Sequence, residues 1–125
     1  MEIQIVDKWA DIVLVNSAVG CFKGIWCSST PVVSKKYIVE IDSDDVLTKN
    51  EVELSNSCTP CIENVDQETV ITGLVKQIQD NVMVLCLQKS IVMLEVSDSS
   101  NFLKYIGHYI HVTLSGIKLY DTGIY

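Results

Sequence analysis

Cys58 and Cys61 form a Cys-x-x-Cys motif, a spacing found in redox-active cysteine pairs and in zinc sites. A redox pair needs its first thiol at a helix N-terminus with a lowered pKa, whereas this motif lies in an acidic stretch and contains Pro60. A zinc site needs further thiolates, and Cys21 and Cys27 could complete a tetrahedral set of four with this pair. The third interpretation is that all of these cysteines are reduced and carry out no chemistry.

The two histidines of the chain, His108 and His111, are three residues apart. On a helix they would share one face and could bind one metal ion. However, Ile110, Val112 and Leu114 alternate with more polar residues, which predicts a strand and directs the two imidazoles to opposite faces. A shared metal ion is therefore not expected.

The run Asp42-Ser43-Asp44-Asp45 begins like a calcium-binding loop. An EF-hand requires an oxygen ligand and then a glycine at the two positions that Val46 and Leu47 occupy, so the pattern fails. The sequence also contains no glycine-rich phosphate loop and no nucleophile elbow. It therefore predicts neither an enzyme nor a bound cofactor.

Residues 40–68, here called the acidic segment, carry most of the charge of the chain. The segment holds nine carboxylates and one lysine, a balance of −8, while the remaining residues hold seven carboxylates and eight lysines, so that the formal net charge is −7. Such a concentration steers a cationic partner and speeds its association, and Ile38 and Ile62 could add apolar anchors. The predicted partner-binding residues are Glu40, Asp42, Asp44, Asp45, Glu51, Glu53, Glu63, Asp66 and Glu68. The alternative is an acidic surface that only keeps an apolar-rich chain soluble.

Nucleic acid is not an expected partner. All nine cationic side chains are lysines, so the chain lacks the planar guanidinium group that reads phosphates and guanine edges. A chain of this net charge would also repel a phosphate backbone rather than neutralise it.

The apolar pattern favours strands over helices, because Val, Ile, Tyr and Thr are common and alanine is rare. The clearest alternation runs from residue 69 to 79, and two further strands follow it after two-residue turns at Asp80-Asn81 and Gln88-Lys89. The predicted strands are 37–42, 51–54, 69–79, 82–87, 90–96, 109–114 and 117–120, after one bent or two short strands over 1–16 that break at 7–9. The predicted loops are 17–36 and 55–66, with helical turns at 46–47 and 101–106.

These elements predict a single β-rich domain over residues 1–125. A three-strand meander, a short helical element and a closing strand in the second half resemble part of an OB-like small barrel. Seven to nine strands exceed a five-stranded barrel, so a β-sandwich with one or two short helical turns is the alternative within this all-β class.

In its small size, acidity and β-rich character, the chain resembles bacterial toxin-immunity proteins. That resemblance implies a cytoplasmic protein whose acidic surface occludes the active site of a cationic toxin, often a nuclease. The sequence has no apolar run long enough to cross a bilayer and no signal-peptide pattern, which agrees with a cytoplasmic location and no membrane partner.

Two other functions remain open at this point. One is a structural or assembly module that forms a homodimer through an exposed strand edge, which either terminal strand could supply. The other is a small module built around zinc bound by Cys21, Cys27, Cys58 and Cys61.

Overall fold

The computed structural model describes residues 1–123 and consists mainly of β-strands joined by short turns. Residues 124 and 125, which the predicted domain includes, lie outside the described residues. The strands are β1 (Glu2–Trp9), β2 (Ile12–Ser17), β3 (Gly20–Trp26), β4 (Lys36–Asp42), β5 (Val46–Leu47), β6 (Val52–Leu54), β7 (Cys61–Val65), β8 (Glu68–Gln79), β9 (Val82–Leu87), β10 (Ser90–Val96), β11 (Tyr109–Leu114) and β12 (Lys118–Asp121). The 3-10 turns are Lys49–Glu51, Ser99–Asn101 and Leu103–Tyr105. Over residues 1–123, no helix has the length and apolarity needed to cross a membrane.

Five strands, in the order β1-β2-β3-β12-β4, close into a barrel. β12 is parallel to β3 and antiparallel to β4, and β4 pairs in turn with β1. The predicted all-β fold with a small barrel is therefore confirmed. Because β1 and β12 are each paired on both sides, the expectation that the terminal strands supply free edges for self-association is wrong.

The other seven strands form a second sheet. Its order is β5-β10-β9-β8-β11-β6, with β7 paired to β8 beside this path. The end strands β5 and β6 are separated in the chain only by Thr48 and the turn Lys49–Glu51, so the two ends of the sheet's path lie close together without pairing in the described residues. The helical turn predicted at residues 46–47 is wrong, because these residues instead pair in parallel with the end of β10.

The meander β1-β2-β3 recurs later in the chain as β8-β9-β10. β2 begins at Ile12 and β9 at Val82, a separation of 70 residues, and β3 and β10 keep the same separation. Each first strand has a bulge at the corresponding place, between Ile5 and Asp7 in β1 and between Val75 and Gln77 in β8. β3 and β10 also show the same alternation of buried and exposed residues. The two halves of the chain thus begin with equivalent three-strand meanders.

Each of the two sheets is completed by strands from the other half of the chain. After β4 the chain leaves the barrel and contributes β5 and β6 to the second sheet, and after β11 it leaves the second sheet and contributes β12 to the barrel. The two connections meet where the Asp45 carboxylate accepts hydrogen bonds from the Ser115 backbone N–H at 2.7 Å and from its hydroxyl at 2.6 Å. The closing strand predicted at residues 117–120 is present, but it closes the barrel and not the meander that precedes it.

β3 lies within residues 17–36, which the sequence predicted to be a loop. Phe22, Gly24 and Trp26 are all buried, so this strand has the ordinary alternation of inward and outward residues. A Cβ on Gly24 would lie 3.2 Å from side-chain atoms of Leu119 in β12. The glycine that suggested a turn instead makes room for the strand inserted beside it.

β7 lies within the second predicted loop, residues 55–66. Its Ile62 is 1 % exposed, and the Ile62 N–H donates to the carbonyl oxygen of Val19 at 2.9 Å. β7 therefore packs against the β2–β3 turn of the barrel while it pairs with β8. The burial of Ile62 also rules out its predicted role as an apolar anchor for a partner.

The remaining differences concern turns. The first turn lies at Ala10–Asp11, and residues 7–9 belong to β1 after its bulge. The helical turn predicted at residues 101–106 is present as two short 3-10 turns, the first of which is capped by the side chain of Asp98. The strands predicted between residues 69 and 96 agree with β8, β9 and β10.

Candidate functional site

The carboxylates of the acidic segment lie on several different structural elements. Glu40 and Asp42 are exposed on β4, and Asp44 and Asp45 lie in the connection from β4 to β5. The others are Glu51 at the end of the first 3-10 turn, Glu53 on β6, Glu63 on β7, Asp66 in the β7–β8 turn with φ 50°, and Glu68 at the start of β8. The segment is thus acidic along its length, while its members belong to different parts of the fold.

Three of these carboxylates have partners that give them a structural role. Asp45 joins the two connections between the halves, and Glu51 accepts hydrogen bonds from the Thr48 N–H and hydroxyl at 3.1 and 2.6 Å. An Asp44 oxygen lies 2.6 Å from the Lys118 ammonium nitrogen, and this contact raises the pKa of Lys118. Within residues 1–123, Asp44 is the only carboxylate of the segment in a salt bridge. The segment therefore retains most of its negative charge.

Glu40 and Asp42 line a groove of about 480 Å³ between the barrel and the second sheet. Tyr120 of β12 is the cross-strand neighbour of Glu40, and β10 contributes Ile91 and Met93 from the second sheet. Ile91 and Met93 are 53 % and 57 % exposed, respectively. The groove thus places large exposed apolar side chains next to two carboxylates.

The apolar surface extends from the groove across the outer face of β10 and β9. The strand register places Ile91 opposite Cys86 and Met93 opposite Val84, while the intervening Val92 is buried in the core. Sequence analysis missed this surface. A signal was nevertheless present, because a strand with large apolar residues on both faces has more apolar surface than one core can bury.

Tyr120 adds a polar group to the groove. A hydrogen bond with the Cys27 side chain and, next, Coulombic repulsion from that side chain raise the pKa of the Tyr120 hydroxyl above its ordinary value. The phenol is therefore neutral at physiological pH and offers its ring face to a ligand.

The four cysteines of the alternative zinc site are not brought together. Cys21 and Cys27 are six residues apart on and just after β3, about 20 Å along an extended strand. Across residues 1–123, no group of three or more His, Cys, Asp or Glu side chains could hold a metal ion. Burial and, secondly, the charge of Glu63 raise the pKa of Cys61, whereas a redox-active cysteine needs a lowered pKa. Cys58 and Cys61 are both free thiols.

The two histidines do not share a site either, since His108 precedes β11 and His111 lies within it. His111 stands between Glu53 of β6 and Thr72 of β8, and its Nδ1 lies 2.8 Å from the Thr72 hydroxyl oxygen. Thr72 is only 5 % exposed, so this contact satisfies a buried hydroxyl.

Compared with protein-family models, with curated proteins and with solved structures, the chain matches none of them. The function proposed next is therefore argued from the charge and geometry of the chain itself.

Proposed function

We propose that this chain is a non-enzymatic binding protein that docks its acidic surface on a basic protein. The observation that carries the proposal is the concentration of nine carboxylates in the acidic segment, of which a single one forms a salt bridge within residues 1–123. A surface left with this much uncompensated charge attracts a cationic partner over several ångströms and disfavours acidic ones.

The kind of partner follows from the same charge. The resemblance to bacterial toxin-immunity proteins supports a basic toxin domain acting in the cytoplasm, for example a nuclease, whose cationic active site the acidic surface would cover. An acidic chain without arginine makes nucleic acid itself a poor partner. The proposed location is the cytoplasm, with no membrane partner.

The first experiment uses the purified chain to capture partners from its own organism at low and then high salt, followed by measurement of association rates with the captured protein. Glu40→Lys/Asp42→Lys should slow association by about tenfold or more at low salt, and the difference should shrink at high salt. Both side chains are exposed on β4, and the hydrogen bond that Asp42 accepts, at 2.8 Å, is a local one from the N–H of the adjacent Ser43, so the substitutions should leave the fold intact.

A matched control isolates the effect of position from that of net charge. Asp42→Lys and Asp11→Lys change the charge equally, but Asp11 lies in the β1–β2 turn, outside the acidic segment. Asp45 and Glu51 are left unchanged because their hydrogen bonds support the fold. If Asp42→Lys slows association no more than Asp11→Lys, docking through the acidic segment is wrong.

A second candidate function is self-association, favoured by Leu54. This residue is 61 % exposed on β6, the end strand of the second sheet's path. Leu54→Lys should abolish any dimer that forms through this edge. Sedimentation velocity over a range of concentrations tests this candidate, and a strictly monomeric chain would exclude it.

A further inference from the structure

We propose that the groove between β4, β10 and β12 takes a large apolar side chain of the basic partner, with a Lys or Arg of the same segment placed at Glu40 and Asp42. This inference rests on the proposed function and gives it a contact point. It assigns the partner segment a definite chemistry, which is an apolar residue flanked by cations.

The groove is formed where the barrel and the second sheet meet. Ile41, which is 9 % exposed, and Tyr120 come from the barrel strands β4 and β12, and Ile91 and Met93 come from β10 of the second sheet. Its volume of about 480 Å³ falls within the range of about 300–1,000 Å³ typical of ligand pockets. The groove therefore has room for a bulky side chain.

The apolar side chains of the groove gain from being covered. Ile91 and Met93 are each more than half exposed, and Tyr120 is 36 % exposed. Grouped exposed apolar residues with a polar rim are typical of protein-binding surfaces. Methionine adapts its shape to different partners, and tyrosine presents a rigid ring with a polar end, so both suit an anchor pocket.

Charge complementarity selects the occupant. Glu40 and Asp42 both face outward on β4, at residues i and i+2, and both line the groove. A cation beside the apolar anchor would be close to both carboxylates. A second copy of this chain fits poorly, because a twofold contact through this groove would bring the same carboxylates of the two copies together.

The test uses three synthetic ten-residue peptides and methionine methyl NMR of the full chain. The first peptide carries two Leu and four Lys, the second replaces both Leu with Ser, and the third replaces the four Lys with Glu. Met93 lies in the groove and Met83 is fully buried in the core, so the two methyl signals separate binding at the groove from general effects. We expect the first peptide to shift the Met93 signal and to leave the Met83 signal unchanged.

Variants then test the apolar contact. Ile91→Ser/Met93→Ser should weaken binding of the Leu/Lys peptide by about tenfold, since the burial of two large apolar side chains is lost. Because this variant lacks the Met93 methyl group, peptide binding to every variant is measured by isothermal titration calorimetry. Leu103→Ser is the matched control, because Leu103 is 52 % exposed but lies in a 3-10 turn and does not line the groove. Glu40→Gln/Asp42→Gln should also weaken binding, and this effect should diminish at high salt.

The outcomes separate this inference from the proposed function. If the Leu-free Lys peptide binds as tightly as the Leu/Lys peptide, or if the Met93 signal does not move, the groove inference is wrong while docking on a basic protein stands. If the Glu peptide binds equally well, the cationic occupant is wrong. A Met93 shift that depends on protein concentration alone would make a second copy the occupant and overturn the inference. If the purified chain captures no basic protein from its own organism but the Leu/Lys peptide still shifts the Met93 signal, the result would count against the proposed function.

Discussion

Gly73 in β8 is a residue whose lack of a side chain the structure requires. A Cβ at this position would lie 2.8 Å from Cγ of Leu85, 2.9 Å from the carbonyl oxygen of Cys86 and 2.9 Å from Leu87. Because one of these neighbours is backbone, the contact cannot be relieved by a rotamer change alone. Gly73→Ala should therefore destabilise the protein by about 1–3 kcal/mol, measured by urea unfolding.

The control for this substitution is Gly116→Ala. A Cβ on Gly116 meets no atom within 4 Å, and this glycine is not among those with positive φ. The free energy of unfolding of Gly116→Ala should differ from that of the unsubstituted protein by no more than about 0.5 kcal/mol. Equal stability of the two variants would mean that β8 and β9 pack less closely than described.

Asp98 provides a prediction about pH. Hydrogen bonds from the Ser100 hydroxyl at 2.7 Å and backbone N–H at 3.0 Å lower the pKa of Asp98 from its ordinary 3.8. A carboxyl group with a lowered pKa stabilises the folded state at pH values above its ordinary, unfolded-state pKa. This stabilisation is lost as the pH falls through the folded-state pKa. In Ser100→Ala the backbone donor remains, so carboxyl NMR titration should find the pKa raised only part of the way. An unchanged pKa in Ser100→Ala, with Ser97→Ala as the control, would contradict the role of the hydroxyl.

At the residue scale, sequence analysis found the carboxylates of the groove and missed its apolar side chains and Tyr120. Glu40 and Asp42 stood out because they belong to a run of charges that is continuous in the chain. Ile91, Met93 and Tyr120 come from distant segments, and nothing local in the chain shows that β10 and β12 both approach β4. The apolar half depends on tertiary contacts, which a local pattern does not encode.

At the element scale, strands were predicted correctly where the apolar pattern was clear and the turns were marked. β8 was predicted because its residues alternate, and β9 and β10 because each is a short apolar run that follows one of the turns Asp80-Asn81 and Gln88-Lys89. β3 was missed because its glycines suggested turns, although Gly24 serves the close approach of β12. β7 was missed because polar residues dominate its surroundings and only Ile62 is buried.

The connection between β4 and β5 gives a prediction for that element. Asp45 ties it to the connection before β12 through two hydrogen bonds to Ser115, whereas Asp44 makes an exposed ion pair with Lys118. Asp45→Asn should cost about 1–2 kcal/mol because hydrogen bonds to a charged group are lost or weakened. Asp44→Asn, the neighbouring control, should cost less than about 1 kcal/mol because exposed ion pairs contribute little. The order of the two urea midpoints is the decisive measurement, and the reverse order would show that the connections do not depend on Asp45.

At the scale of the whole molecule, the equivalence of the two meanders was invisible in the sequence. None of residues 2–26 is identical to the residue 70 positions later. The halves share only the lengths of the second and third strands of each meander, the turn positions, the bulges and the alternation of buried residues, which many different sequences satisfy. The exchange of completing strands was hidden for a further reason, since it depends on where the chain goes after β4 and β11 and not on the composition of any strand.

That exchange predicts a single cooperative unfolding transition. Leu119 of β12 is fully buried in the barrel, although it follows the second meander, and Leu47 of β5 is fully buried in the second sheet, although it follows the first. Leu119→Ala and Leu47→Ala should each destabilise the protein by about 2–5 kcal/mol. Trp9 and Trp26 report on the barrel by fluorescence and Met83 reports on the second sheet by methyl NMR, because these residues lie in β1, β3 and β9. If strand exchange couples the barrel and the second sheet, each substitution lowers the urea midpoint equally for both probes. If the two sheets unfold independently, each substitution lowers the midpoint of one probe only, so that Leu119→Ala shifts only the tryptophan midpoint.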